Sequence, residues 1–211
     1  MKITCISDTH GYHHQVNIEP TEVLLFAGDA MNSGYRLKEL TSFLDWFEMQ
    51  PAAHKVMIAG NHCRWIENNP EEFRNLLMKY PDITYLEDES VTINGLKIYG
   101  TPHSKIFYNW AFNRSEEQLQ QLFDKIPKDV DILLSHAPQY LVLDELIDGQ
   151  HVGESTLSLK LRDLTKLKLH VFGHIHNAFG MVKPHRKHIS VNASQVDESY
   201  DCVNFPIIIN L

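Results

Sequence analysis

Short apolar runs, most of them four to six residues long, recur along the chain. They are rich in Ile, Val, Leu and Phe, a composition typical of strands that are buried on both faces. The dipeptide Asn94-Gly95 stands between two of these runs and predicts a tight hairpin. The predicted strands lie at residues 2–7, 23–27, 55–59, 91–93, 96–100, 131–135, 169–172, 189–192 and 205–210.

Amphipathic stretches between the strands predict helices. Apolar residues at three- and four-residue spacing run through residues 35–50, and Pro-Glu-Glu opens a second stretch at residues 70–80. Ser115-Glu116-Glu117-Gln118 has the form of a capping box, and residues 154–167 form the last helical pattern. Strand and helix alternate in the first half, whereas the C-terminal part is rich in strands. We therefore expect an α/β fold in which helices flank two packed sheets.

The composition is that of an ordinary globular chain. It has 211 residues, 43% of them hydrophobic, without a repeat or a flexible linker, so we expect a single domain over residues 1–211. No window approaches the roughly 18 apolar residues of a membrane span, and residues 1–6 are too short for a signal-peptide core. The three cysteines, Cys5, Cys63 and Cys202, show no paired spacing and indicate reduced thiols. We expect a cytoplasmic protein with no membrane partner.

The formal net charge of −8 argues against long nucleic acid as a partner, because that binding relies on basic side chains at the phosphates. A small phosphate substrate remains compatible, since bound metal ions would reverse the local field. The chain also contains 13 histidines, and histidine is the commonest metal ligand.

Five of the predicted strands are followed at once by residue types that can bind metal ions. They are Asp8 and His10, Asp29, Asn61, His136, and His174 with His176. Ligands of open α/β sheets collect outside the carboxyl ends of the strands, so these side chains can converge. His174 and His176 alternate, and in an extended segment both would point the same way. Each motif alone also fits a turn or a core residue, but their joint occurrence predicts a metal site.

These motifs together resemble the calcineurin-like metallophosphoesterases, over nearly the whole chain. The motifs are Asp8-Thr9-His10, Gly28-Asp29, Gly60-Asn61-His62, His136 and Gly173-His174-Ile175-His176. The chain is similar in particular to the metallophosphoesterase-domain branch that includes cyclic-nucleotide phosphodiesterases, at residues 98–102, 110–113, 131–136, 170–176, 191–194 and 206–208. The resemblance implies a four-layer αββα sandwich, in which two mixed β-sheets are flanked by helices.

The resemblance also implies roles for the motif residues. Two divalent ions, drawn from Mn, Fe, Zn, Ni or Co, would be bound, with Asp29 bridging them. The first ion would take Asp8, His10 and His176, and the second Asn61, His136 and His174. A hydroxide shared by two such ions is a nucleophile at neutral pH. His62 would lie beside the leaving group, so that His62, Asn61 and Asp29 form the expected catalytic set.

Several other residues stand near these motifs. We expect His103 and Trp110 to contact the substrate, with Trp110 able to stack a base. His13 and His14 either line the pocket or are solvated. Surface positions are expected for the remaining conspicuous groups, which are His151, His185, His188 and the basic turn at residues 183–187.

Position 63 departs from the family motif, which usually continues Gly-Asn-His with Asp or Glu, whereas this chain has Cys63. An acidic residue there orients its neighbours, so we expect the orientation of His62 to be weakened. The alternative is that Cys63 is simply a small buried residue.

The leading hypothesis is a metal-dependent enzyme that hydrolyses small phosphodiesters, such as cyclic nucleotides, through a metal-bridging hydroxide, and that Mn reactivates after chelation. A phosphomonoesterase or phosphoprotein phosphatase is the second hypothesis, because the same metals would serve a different pocket. A catalytically weak metal-binding scaffold is the third. The acidic balance of the chain disfavours a nuclease.

Overall fold

The computed structural model describes residues 1–183 and 188–211. Its strands are β1 (Lys2–Ile6), β2 (Thr21–Phe26), β3 (Ala52–Met57), β4 (Ile83–Tyr85), β5 (Glu89–Ile93), β6 (Leu96–Thr101), β7 (Ser104–Lys105), β8 (Asn113–Arg114), β9 (Ile132–Ser135), β10 (Leu169–Phe172), β11 (Gly180–Val182), β12 (Ile189–Asn192) and β13 (Ile207–Asn210). Its α-helices are α1 (Leu37–Glu48), α2 (Arg64–Asn68), α3 (Pro70–Leu77), α4 (Glu116–Asp124) and α5 (Ser155–Asp163). Short 3-10 turns lie at His13–Gln15 and His176–Ala178.

Two large sheets contain most of the strands. The first has the order β13-β1-β2-β3-β4, and the second has the order β11-β12-β10-β9-β6-β5. In the first sheet β13 runs antiparallel to β1, and the other pairs are parallel. In the second, β5 and β11 run antiparallel to their neighbours around a parallel centre. Both sheets are therefore mixed, as expected.

Three apolar clusters show how the layers stack. The middle cluster joins the two sheets, since it holds Ile3 and Val23 of the first sheet together with Ile132 and Val171 of the second. A second cluster packs the outer face of the first sheet against helix α1 and the α2–α3 segment. A third packs the outer face of the second sheet against α4 and α5. The order helix, sheet, sheet, helix confirms the expected four-layer sandwich.

The apolar runs are continuous because both faces of each sheet are covered. Along β2, Val23 and Leu25 face the other sheet, whereas Leu24 and Phe26 face the helices. Helix α1 presents Phe43 to this outer face, where its ring centroid lies 4.4 Å from that of Phe26. This explains why the runs lack the alternation of a strand that is exposed on one face.

Helix α4 begins as its sequence predicts. The Ser115 hydroxyl accepts a hydrogen bond from the Gln118 amide at 3.3 Å, and the Gln118 side chain accepts one from the Ser115 amide at 2.9 Å. Strands β4, β7, β8 and β11, each of two or three residues, were not predicted, because runs that short show no periodicity. No helix in residues 1–183 or 188–211 is long and apolar enough to cross a membrane.

The topology also explains where the chemistry lies. Strands β1, β2 and β3 are parallel neighbours in the first sheet, and β9 and β10 are parallel neighbours in the second. Within each sheet the carboxyl ends of these strands lie on the same side, which we call the ligand edge. The loops that follow the strands carry all seven predicted metal ligands. The two edges meet where the sheets stack, so the ligand loops of both sheets face one another.

Candidate metal centre and active-site cleft

The first ligand group lies at the ends of β1 and β10. Asp8, His10 and His176 each offer one ligand atom, and these three atoms lie within 4.8 Å of one another. The Nε2 atoms of His10 and His176 are 3.3 Å apart, and Asp8 Oδ1 is 3.9 Å from the first of these nitrogens and 3.6 Å from the second. All three side chains are buried.

The second group brings the two sheets together. Ligand atoms of Asp29, His136 and His174 lie within 4.8 Å of one another. His136 Nε2 is 3.3 Å from Asp29 Oδ2 and 2.8 Å from Asn61 Oδ1. The same Asp29 oxygen lies 3.8 Å from His10 Nε2 of the first group. Asp29 is thus the residue that stands between the two groups.

Backbone carbonyls orient the imidazoles. His10 Nδ1 donates to Met31 O at 3.2 Å, His136 Nδ1 to Ala27 O at 2.9 Å, and His176 Nδ1 to Asp197 O at 3.1 Å. A carbonyl only accepts, so Nδ1 carries the proton, and in a neutral ring Nε2 then presents its lone pair to the site.

The lone pairs on His10 and His176 therefore face each other across 3.3 Å, beside carboxylates. Such an arrangement of acceptors is repulsive by itself and is stabilised by a cation. Neutral imidazoles with carboxylates and an amide oxygen, and no thiolate, form a donor set suited to divalent transition metals. The residues present fit the divalent ions that the sequence implies.

The protonation preferences of His10 and His174 agree with this interpretation, whereas at His176 and His136 the carboxylates of Asp8 and Asp29 outweigh burial and raise the pKa. Burial would raise the pKa of Asp8 and Asp29, yet nearby imidazoles, His176 and His136 foremost, hold both below the ordinary value. Burial lowers the pKa of His10 to about 4 and that of His174 to about 3, so both rings are neutral near pH 7. For His136 burial acts the same way, but the charge of Asp29 outweighs it and raises the pKa to about 9. A cation beside Asp29 would favour the neutral ring instead.

Unusual backbone conformations place these ligands. The φ angles are +49° at Asp8, +43° at His10, +59° at Asp29 and +70° at His174, a region that non-glycine residues seldom adopt. The chain between His174 and His176 is therefore a turn that leads into a 3-10 segment, and the expected extended conformation is wrong. The two imidazoles diverge and enter different ligand groups.

Two glycines allow the close approach. A Cβ on Gly60 would stand 2.3 Å from Asp29 Oδ1 and 2.7 Å from His136 Cε1. A Cβ on Gly173 would stand 1.8 Å from Asp8 Oδ2. Because no side chain fits at these separations, the glycine before each motif is what lets carboxylate and strand end meet.

His62 lies beside both groups and is held on three sides. Its backbone amide donates to Asp29 Oδ1 at 2.7 Å, and its Nδ1 donates to Asn32 O at 2.7 Å. Its ring stacks on Trp110 with centroids 4.2 Å apart. A ligand atom of His62 also lies within 4.8 Å of ligand atoms of His10 and Asp29, a third grouping that the sequence did not suggest.

Cys63 does not weaken this arrangement. It is 1% exposed and packs in the apolar cluster on the helix side of the first sheet, as the alternative expectation had it. Burial raises the pKa of its thiol to about 12, so it remains a neutral packing residue. The expected loss of His62 orientation is not seen, because the Asn32 carbonyl and the Trp110 ring hold the imidazole.

A cleft of about 340 Å³ opens above the centre, a volume suited to a small organic phosphate. Its lining residues are Asp29, Asn61, His62, Lys105, Phe107, Trp110, Leu146, Val152, His174, Ile175, His176, Glu198 and Tyr200. The side of the cleft formed by the candidate metal ligands is polar, and the remaining wall is mostly apolar. Of the two expected substrate contacts, Trp110 lines the cleft. Its outer residues, such as Lys105, Phe107 and Tyr200, follow no ligand motif, and we found no sequence signal for them.

His103 does not line the cleft. Its Nε2 lies 2.7 Å from Asp88 Oδ2, and the residue is buried at the end of β6. The expected substrate contact is therefore corrected: the pairing with Asp88 directs this imidazole away from the cleft.

The other conspicuous histidines differ among themselves. His13 is buried against helix α1, where its Nε2 lies 3.1 Å from Ser42 Oγ, so it neither lines the pocket nor is solvated. His188 is also buried, which corrects the expected surface position, whereas His14 and His151 are exposed. His185 and most of the basic turn lie outside the described residues.

Known proteins resemble this chain in sequence. The model of the calcineurin-like phosphoesterase family matches residues 1–178. The human protein named metallophosphoesterase domain-containing protein 1 is 32% identical over 232 residues, covering 100% of this chain and 71% of that protein. The Caenorhabditis elegans UPF0046 protein K07C11.7 is 29% identical over 222 residues, covering 99% and 74%.

A solved structure supports the fold. The crystal structure of TT1561 of Thermus thermophilus has a TM-score of 0.64 at 12% identity, covering 99% of this chain and 98% of that one.

The glycine contacts generate a first prediction. Gly60→Ala should weaken manganese binding by about 10- to 100-fold, because the added methyl group would force Asp29 away from His136. Calorimetric titration with Mn measures the effect. Gly95→Ala in the β5–β6 hairpin is the control: at φ +79° it introduces backbone strain, but its Cβ meets nothing within 4 Å, so it should lower the Tm and leave manganese affinity unchanged. Normal manganese affinity in Gly60→Ala would show that the two ligands can separate without loss.

Proposed function

This chain belongs to the calcineurin-like phosphoesterase family of metal-binding hydrolases, and from that premise we propose that it hydrolyses small phosphodiesters with two divalent metal ions. The observation that carries the proposal is the position of Asp29, one carboxylate oxygen of which lies 3.8 Å from His10 Nε2 and 3.3 Å from His136 Nε2. A residue shared by two ligand groups is what a pair of ions requires.

The proposed division of the ligands is the one that the family resemblance implies. Asp8, His10 and His176 would hold one ion, and Asn61, His136 and His174 the other, with Asp29 serving both. The nitrogen and oxygen donors suit Mn, Fe, Zn, Ni or Co, and we propose Mn for reconstitution. When bound, such ions polarise a phosphoryl group and lower the pKa of water.

His62 is proposed as the general acid. Its Nδ1 hydrogen bond to Asn32 O leaves Nε2 as the atom that can face the substrate. In the doubly protonated ring, Nδ1 keeps that bond while Nε2 gives its proton to the departing ester oxygen. Stacking on Trp110 fixes the plane of the ring and therefore the direction of the transfer.

The charges of the cleft wall favour diesters over monoesters. Outside the proposed metal ligands and His62, the charged lining residues are Lys105, which is positive, and Glu198, which is negative. A diester carries one negative charge and two organic groups, whereas a monoester carries up to two charges and one group. The apolar wall formed by Phe107, Trp110 and Leu146 can bury an organic group. Cyclic nucleotides are diesters of suitable size, with a base that Trp110 can contact.

Removal of the shared ligand tests the metal assignment. Asp29→Ala should abolish turnover and reduce the bound metal from about two ions per chain to one or none. It should also lower the Tm measured with metal, because an ion bound only to the native state stabilises it. Asp163→Ala, at the exposed end of α5, is the matched control and should change neither quantity. Near-normal turnover in Asp29→Ala would refute the assignment of the centre.

Leaving-group dependence tests His62. His62→Ala should lose about 10²- to 10⁴-fold in kcat on an alkyl or nucleoside ester, which needs the proton, and little on a nitrophenyl ester. Elemental analysis should find the metal content unchanged. Equal losses on both esters would instead assign His62 to positioning the phosphate, and loss of metal would make it a ligand with His10 and Asp29.

Substrate class is tested with paired esters. Metal-loaded protein should show a higher kcat/KM on a bis-aryl phosphate than on the matching aryl monophosphate, because of the single charge and second organic group of the diester. The 2′,3′- and 3′,5′-cyclic nucleotides extend the comparison to natural diesters. A clear preference for the monoester would move the protein to the phosphatase hypothesis, and absence of turnover on all of them to the scaffold hypothesis.

A further inference from the structure

Tyr200 occupies a position that none of the ligand motifs accounts for. Its ring centroid lies 4.8 Å from that of His10, 5.2 Å from that of His176 and 6.4 Å from that of His62. It also lines the cleft together with Asp29 and the three histidines His62, His174 and His176. A row of ring contacts thus runs from Trp110 through His62 and His10 to Tyr200.

The backbone holds Tyr200 in this position against its own preference. Its φ angle is +63°, which is unfavourable for a residue with a bulky side chain. The strain persists only where the surrounding structure imposes it, and such residues cluster at ligand sites. Here the restraint comes from Asp197, whose carbonyl accepts a hydrogen bond from the Tyr200 amide at 3.0 Å.

Asp197 also closes the rest of the turn. Its carboxylate accepts hydrogen bonds from the amides of Ser199 at 2.8 Å and Asp201 at 3.0 Å. Its carbonyl in addition accepts the Nδ1 proton of His176 at 3.1 Å. One residue therefore orients a metal ligand and fixes the turn that carries Tyr200, so the two rings keep a constant relation to each other.

Tyr200 is 36% exposed and lines the cleft, and its hydroxyl makes no hydrogen bond within the described part of the chain. Its ring, by contrast, is packed against ligands of the first group. A phenol hydroxyl is a neutral donor, and this one is free to bind a ligand in the cleft. A donor beside a centre that binds phosphate has an anionic oxygen as its natural partner.

We propose that Tyr200 is a substrate-binding residue whose hydroxyl donates a hydrogen bond to a non-bridging phosphoryl oxygen of the ester. The inference rests on the proposed function. It adds a residue outside the predicted catalytic set, and it assigns to residues 197–201 the task of presenting that residue. A neutral donor suits the single charge of a diester, because it adds affinity without calling for a second negative charge.

Tyr200→Phe removes the oxygen and keeps the ring. In the Mn-loaded protein it should weaken the binding of inorganic phosphate, measured by calorimetry, and lower kcat/KM on the bis-aryl ester, each by about tenfold or more. The loss should be equal on aryl and alkyl esters, unlike that of His62→Ala, because the bond is made to the phosphoryl group. Bound metal and Tm should stay at wild-type values.

Tyr108→Phe is the matched control. Tyr108 also has a positive φ, of +53°, but it is 80% exposed and does not line the cleft, so its substitution should change neither phosphate binding nor turnover.

The turn is tested separately. Asp197→Ala should reproduce much of the loss of phosphate affinity, and adding Tyr200→Phe to it should cost less than in the wild-type background, since the hydroxyl is already misplaced. Asp197→Asn keeps an acceptor oxygen and should restore most of the affinity.

Wild-type activity and phosphate affinity in Tyr200→Phe would overturn this inference and leave the proposed function standing. Wild-type protein that neither binds phosphate nor hydrolyses any ester would overturn both.

Discussion

The carboxylate of Asp29 ties the two sheets together at the edge where their ligand loops meet. One of its oxygens accepts the His62 amide from the first sheet, and the other lies 3.3 Å from His136 of the second. Asp8 makes a comparable link, because its carboxylate accepts the His174 amide at 3.0 Å. Burying two carboxylates is costly unless charge and hydrogen bonds compensate. The arrangement at the centre is therefore governed by the need to surround these two charges.

That need explains the local backbone. Carboxylates from one sheet reach strand ends of the other only where no Cβ intervenes, hence Gly60 and Gly173, and only where the chain turns sharply, hence the positive φ at Asp29 and His174. These conformations cost stability that the apolar layers must supply. The continuous core between the sheets provides a rigid support, so the ligand positions follow from the packing of strands far from the centre.

The parts that sequence could predict are those that depend on residue type and spacing. Apolar runs predict strands, and Asp, Asn and His directly after the runs predict which ends converge. The orienting partners of the histidines could not be predicted in this way, because Met31, Asn32 and Asp197 act through backbone carbonyls, which every residue has. His103 shows the converse. The resemblance of its segment to one that borders the site suggested a substrate contact. The ring pairs instead with the Asp88 carboxylate, 15 residues earlier in the chain, and a pair so far apart in sequence shows no local pattern.

The same distinction separates the floor of the cleft from its walls. The candidate ligand residues form the floor. They must carry charge or a ligand atom, so few residue types are suitable, and each position constrains the others. The walls come from loops whose side chains need only be apolar or aromatic, as at Phe107, Leu146 and Val152, and many residues would satisfy that condition. Trp110 lies at the boundary, because it forms part of the wall and also stacks on His62. A change at Trp110 would therefore alter the wall of the cleft and the orientation of the His62 ring together, whereas a change at Phe107 would alter the wall alone.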